Sequence, residues 1–151
     1  MKYAVSACLL GENCKYSGGN NYHEKLCTYL KNHEVIPLCP EVMGGLPTPR
    51  TPVELVDGIA ATKTGECVQK AFSDGADACL RLLKNEPIEC VILQPRSPSC
   101  GVGQIYDGTF SKTLTDGNGI LVQALLRNGY PVISVDDFIK ELDESENAAE
   151  E

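Results

Sequence analysis

No apolar run in these 151 residues approaches the ~20 that a membrane-spanning helix needs, which excludes a helical integral membrane protein. The opening MKYAVSAC has one lysine and a short apolar stretch, too little for a secretory signal, so it reads as a first strand. A soluble, cytoplasmic protein is expected. Basic residues are scarce: 13 Lys and Arg against 21 Asp and Glu give a formal charge of −8. Most of that charge falls after Val135, where Asp136, Asp137, Glu141, Asp143, Glu144, Glu146, Glu150 and Glu151 outnumber Lys140. The body is nearly neutral, which excludes a broad basic footprint for duplex nucleic acid and leaves room for a small anion held by a few basic side chains. Walker and dinucleotide fingerprints, internal repeats and low-complexity segments other than the acidic end are all missing.

Eight cysteines are present, and none pairs with another at the C-x₂₋₄-C spacing of structural zinc sites. Four disulfides are not expected of a chain that stays in the reducing cytosol. Burial or metal binding must account for the thiols.

Residues 2–7, 34–38, 88–93 and 131–135 are short apolar runs of strand type. Between them apolar residues recur at helical spacing: His23, Leu26, Cys27 and Leu30; then Val68, Ala71, Phe72, Ala76, Cys79, Leu80 and Leu83. A third helix is predicted over about 117–128, stopping at Gly129, and a fourth from Asp136 or Asp137, either of which can cap it. This alternation predicts an α/β domain, a doubly wound, mainly parallel sheet of about four or five strands with helices on both faces. Residues 1–136 form that domain in this reading, and 137–151 the last helix with an acidic, solvated, fraying tail. Two Pro/Gly-rich segments, 40–65 and 94–116, interrupt the rhythm as long loops, the first with a hairpin at Asp57-Gly58.

Cys27 and Cys79 lie on apolar helical stripes and Cys90 lies inside a strand, so small core residues describe them. Cys67 begins a helix. Cys8, Cys39 and Cys100 are different, because each follows the end of an apolar strand among residues that break regular structure: Gly11, Pro40, and Pro98 with Gly101. Loops after the carboxyl ends of parallel strands share one crevice, where open α/β sheets bind ligands. Three such thiolates suit an iron–sulfur cubane with its fourth iron left open. Cys14, in GENCKYSGG, is the candidate for an extra ligand.

VSACLLG…CKYSGG, CPEVMGGLPTPR, SPSCG and IYDGTFS, in this order, resemble the thiouracil desulfidase family from about residue 2 to residue 135. The resemblance implies a 4Fe–4S cluster held by Cys8, Cys39 and Cys100, with one iron not bound by protein. It also implies Glu41 as catalytic acid/base and Ser97 as its assistant. The family's lysine shortly before SPSC is replaced by Gln94 and its first-loop aspartate by Ser17, which leaves substrate contacts open. The implied reaction is a non-redox exchange of C=S for C=O in a thiolated uracil base, nucleoside or nucleotide, with release of hydrogen sulfide.

Arg50, Arg96 and Lys15 adjoin these loops and are candidates to grip a phosphate or a pyrimidine carbonyl. The expected partner is a small thiolated pyrimidine rather than thiolated tRNA. His23 and His33 end the first helix away from the motif loops, against a Cys–His hydrolase; Asp107-Gly108 reads as a turn, and Gly18, Gly19, Gly44 and Gly45 as possible anion-facing backbone. Two other functions compete: an iron–sulfur electron carrier or sensor with Cys14 as fourth ligand, and a zinc-binding interaction module.

Overall fold

In the computed structural model, which describes residues 1–150, the four apolar runs are the four strands of a parallel sheet. β1 (Lys2–Ser6) passes into a one-turn 3₁₀ helix, Ala7–Leu10, closed by Gly11 at φ 97°. Next come α1 (Glu24–Leu30), β2 (Glu34–Leu38) and a one-turn α2 (Pro40–Met43). The hairpin β3 (Val53–Val56) and β4 (Ile59–Thr62) precedes α3 (Gln69–Leu83) and β5 (Ile88–Leu93). A second hairpin, β6 (Gln104–Tyr106) and β7 (Leu114–Asp116), leads to α4 (Ile120–Arg127), β8 (Val132–Ser134) and α5 (Val135–Glu150).

The sheet order is β2-β1-β5-β8, all parallel. Side chains alternate across a strand, so neighbours in β1 and β5 serve opposite faces. Ala4, Val91 and Leu93 pack with Cys79, Leu83, Leu121 and Leu125 of α3 and α4, while Tyr3, Val5 and Ile92 pack with Leu26, Leu30 and Phe138 of α1 and α5. Helices thus cover both faces, as the alternation predicts. A smaller cluster of Leu55, Ala60, Phe72 and Ile105 seats both hairpins on α3. β1 lies centrally, and the chain winds outward from it in both directions, to β2 on one side and through β5 to β8 on the other. The gap beyond the carboxyl ends of β1 and β5 is therefore the switch point of the sheet.

Local structure departs from the sequence reading at several places. Segment 94–116 is not a loop throughout: it carries β6 and β7, missed because β7 is fully exposed and shows no apolar alternation. Pro40, already fixed near helical φ and without an N–H to satisfy, starts α2 where a loop was expected. The cap of α5 is Ser134, whose Oγ accepts from the Asp137 N–H at 3.2 Å, rather than Asp136 or Asp137, which occupy its first turn. Cys67 precedes α3 and bridges to Ala61. Where a fraying tail is expected the helix continues to Glu150, and Glu151 lies outside the described residues. The Asp57-Gly58 hairpin forms as anticipated, with both turn residues at positive φ, 50° and 81°.

One contact fixes α2. A Cβ on Gly44 would lie 2.0 Å from the Ala71 carbonyl oxygen, and one on Gly75 1.8 Å from that of Pro40. Backbone touches backbone at these two glycines, where no side chain fits, while Met43 of α2 packs on Cys79 of α3 beside them. Gly75→Ala is expected to cost about 3 kcal/mol or more, since overpacking a tight interface typically costs 1–3 kcal/mol, as read by urea denaturation.

Candidate functional site

The three strand-end cysteines come together. Cys8 sits in the 3₁₀ turn after β1, Cys39 in the N-terminal turn of α2 after β2, and Cys100 in the loop after β5; all three line one cavity of about 680 Å³ at the switch point. Cys14, Glu41, Ser97, Arg50, Arg96 and Lys15 line the same cavity.

Each thiol has polar company. Asn21 Nδ2 donates to Cys8 Sγ at 3.5 Å, and Lys15 Nζ donates to Asn21 Oδ1 at 3.2 Å. Cys39 Sγ donates to the Cys14 carbonyl oxygen at 3.7 Å, and Ser99 Oγ lies 3.7 Å from Cys100 Sγ. Burial pushes the Cys8, Cys14 and Cys100 thiols up. Neighbouring sulfur adds to this: Cys39 opposes ionisation of Cys8 and Cys14, and Cys8 opposes that of Cys100, while Asn21 and Lys15 favour it at Cys8 and Ser99 and Ser6 at Cys100. The thiols therefore feel one another's charge.

Among the described residues no three His, Cys, Asp or Glu side chains converge to hold a single metal ion. In a cubane each cysteine binds its own iron, so the ligands surround a volume instead of a point, and the cavity offers that volume with an all-thiol donor set. These residues fit a cluster.

Glu41 is held on both oxygens. Arg50 Nε donates to Oε1 at 3.0 Å and Ser99 Oγ to Oε2 at 2.8 Å, with the arginine and glutamate side chains only 6% and 14% exposed. Arg50 also donates to the carbonyl oxygens of Cys14 (2.9 Å) and Pro47 (3.2 Å) and to Thr48 Oγ1 (3.1 Å), and its backbone N–H to Tyr16 O at 2.7 Å. Four of its five guanidinium N–H donors are thus spent on the protein, which leaves one for any grip on substrate. Ser97 does not touch Glu41 directly. Its Oγ accepts from the Cys100 N–H at 2.7 Å and stands 3.2 Å from Ser99 Oγ, so Ser99 is the link between them. Ser99 is buried and was not singled out from the sequence, although it stands inside SPSC. Asn21 was also missed; no local pattern marks it.

The remaining candidates have other duties. Gly18, Gly44 and Gly45 donate their N–H groups to Lys15 O, Pro40 O and Val42 O, leaving none of the three for an anion. His23 caps α1, its Nδ1 accepting from Leu26 N–H at 3.2 Å, and His33 stacks on Tyr29. Cys79 is buried in the core, its thiol pushed up to about 12, and Cys90 is half-buried in β5 with its thiol at about 11, burial being the main cause for both. Ser17 is exposed outside the cavity, whereas Gln94 lines it and donates its N–H to Ser6 Oγ at 2.9 Å.

The sequence pattern of 2-thiouracil desulfurase matches residues 4–137, most of the chain and every residue of this site. The chain belongs to the 2-thiouracil desulfurase family. It is thereby an enzyme of the thiouracil desulfidase class. The fold agrees with that of a solved family member, the 4Fe–4S-dependent thiouracil desulfidase TudS, at a TM-score of 0.86 and 37% identity over 95% of this chain and 97% of that one. The uncharacterized protein YbbK of Bacillus subtilis (strain 168) is 37% identical over 140 residues, 86% of this chain and 93% of YbbK. Among the described residues no helix is long and apolar enough to cross a membrane.

Removing one partner of a buried pair strands the other's charge, at a typical cost of 3–5 kcal/mol. Arg50→Met should therefore lose about 3 kcal/mol in urea denaturation, and adding Glu41→Gln to it should restore part of that loss.

Proposed function

We propose that this chain is a non-redox desulfidase that uses a 4Fe–4S cluster, held by Cys8, Cys39 and Cys100, to convert C=S to C=O in a small thiolated pyrimidine. The observation that carries the reading is the meeting of these three thiols with Glu41 in one cavity. When bound, a cluster held by Cys8, Cys39 and Cys100 would supply Lewis-acid chemistry that polarises the thiocarbonyl group. The balance is substrate plus water giving the oxo product plus hydrogen sulfide, with no electron gained or lost.

Glu41 is the base that takes a proton from the attacking water. A carboxylate has about four lone-pair positions, and Arg50 and Ser99 use two, leaving capacity for a water in the cavity. The two bonds also fix the carboxyl plane, so its free lone pairs keep one direction. Ser97 acts through Ser99: with Ser97 Oγ accepting from Cys100 N–H, its own proton points to Ser99, which donates to Glu41. This chain of hydroxyls passes a proton between the carboxylate and Ser97, which itself lines the cavity.

Lys63 and Lys112 join Lys15 and Arg96 around the cavity. Four cations in the lining of one cavity suit a nucleotide's phosphate as well as a free base, and the nearly neutral remainder of the body disfavours tRNA. The runner-up, an electron carrier, draws on Cys14, whose thiol shares the cavity with the other three.

Anaerobic reconstitution followed by iron counting should show a loss of iron in Cys8→Ser, Cys39→Ser and Cys100→Ser, and near-normal iron in Cys14→Ser. Glu41→Gln should retain iron and lose turnover of thiouracil about a hundredfold or more, the usual range for a general base, in an assay without reductant. Turnover that requires a reductant would favour the carrier.

A further inference from the structure

Three aromatic side chains line the cavity: Tyr16, Tyr106 and Phe110. Tyr16 stands half in solvent on the first loop. Phe110 is different. Its backbone lies in the left-handed region, at φ 57°, and so does that of Lys112, at φ 61°. A bulky residue there is a genuine outlier and persists only where its surroundings over-determine it.

Those surroundings are visible. Glu54 of β3 reaches across to the β6–β7 turn, where one oxygen, Oε1, accepts both the Gly108 N–H at 3.0 Å and the Phe110 N–H at 3.1 Å. Gly108, at φ 91°, lies so close to the first hairpin that a Cβ would be 2.7 Å from Leu55 O. Asp107 Oδ1 accepts from Thr109 N–H at 3.0 Å. The turn is thus bolted to the neighbouring hairpin through backbone groups, and the half-buried ring of Phe110 is left to face the cavity rather than the core. IYDGTF has no part in the chemistry of Cys8, Cys39, Cys100 or Glu41, and core packing does not require a phenyl ring at a strained tip.

We propose that Phe110 is the platform on which the pyrimidine ring of the substrate stacks, and that Glu54 is the positioning residue that holds it there. The assignment rests on the desulfidase reading. A flat π-face accepts any pyrimidine, thiolated or not, so the platform binds the uracil product as well as the substrate and sets affinity, while ring position relative to Glu41 follows from it.

The test is equilibrium binding of uracil and of uridine 5′-monophosphate to the cluster-free chain by calorimetry, beside thiouracil kinetics on the reconstituted enzyme. Removing a stacked aromatic costs about tenfold or more in affinity, so Phe110→Ala and Phe110→Leu should weaken uracil binding and raise KM by about tenfold while kcat changes less. Phe110→Tyr should restore both. Glu54→Gln should weaken binding by a smaller factor, because the amide oxygen can still accept both N–H groups. Phe110→Gly, which relieves the left-handed strain, should keep or raise the unfolding midpoint yet lose affinity like Phe110→Ala. Wild-type affinity in Phe110→Ala and Phe110→Leu, with turnover intact, would overturn the platform and leave the desulfidase reading standing. A drop in the midpoint of Phe110→Gly equal to that of a core truncation would overturn it too, by making the ring a packing residue. A wild-type chain that binds uracil through Phe110 but shows no turnover would support the platform and sink the reading of the chemistry.

Discussion

A single carboxylate ties the site together. Glu41 belongs to the turn that carries Cys39; its Oε1 meets Arg50, which in turn grips the carbonyl of Cys14 in the loop that follows Cys8; its Oε2 meets Ser99, the neighbour of Cys100. Through this one side chain, loops from three strands are joined, alongside the Cys39 Sγ contact to Cys14 O and the Gln94 N–H bond to Ser6 Oγ. Because the Arg50 and Glu41 side chains are themselves mostly buried, these bonds are costly to lose. Glu41 thus both lines the cavity and helps bind together the loops that carry its thiols.

The framework was legible because it rests on local pattern. Four apolar runs, helical stripes between them and a stop signal after each of three strands place Cys8, Cys39 and Cys100 at one edge before any coordinate is known. The structure adds the order β2-β1-β5-β8, which makes that edge a switch point. What the sequence left unread depends on partners distant in the chain. Arg50 reads as a free cation from its neighbours, and only folding shows it against Glu41 and the Cys14 carbonyl. Ser99, in full view within SPSC, is set apart from Ser97 by where its hydroxyl points, which no spacing encodes. Strand β7 has no buried residue, so periodicity had nothing to report.

Labour is divided within the molecule. The parallel sheet and its turns deliver Cys8, Cys39, Cys100 and Glu41 to the cavity, while the two antiparallel hairpins, seated on α3 by Leu55, Ala60, Phe72 and Ile105, add Glu54, Tyr106, Phe110 and Lys112 to its lining. The first set is held by backbone ladders and buried bonds. The second is held by its own antiparallel ladders and that apolar cluster, with the β6–β7 turn tied to β3 by one oxygen of Glu54.

The glycine contact between α2 and α3 sets how much room the turn bearing Cys39 has. With carbonyl oxygens about 2 Å from where a methyl group would be added on either side, neither Gly44 nor Gly75 can gain a side chain unless the two helices part. Cys39 directly precedes α2, so such a parting would carry its thiol away from Cys8 and Cys100: the spacing of the three sulfurs is set in part by two residues that have no side chain at all.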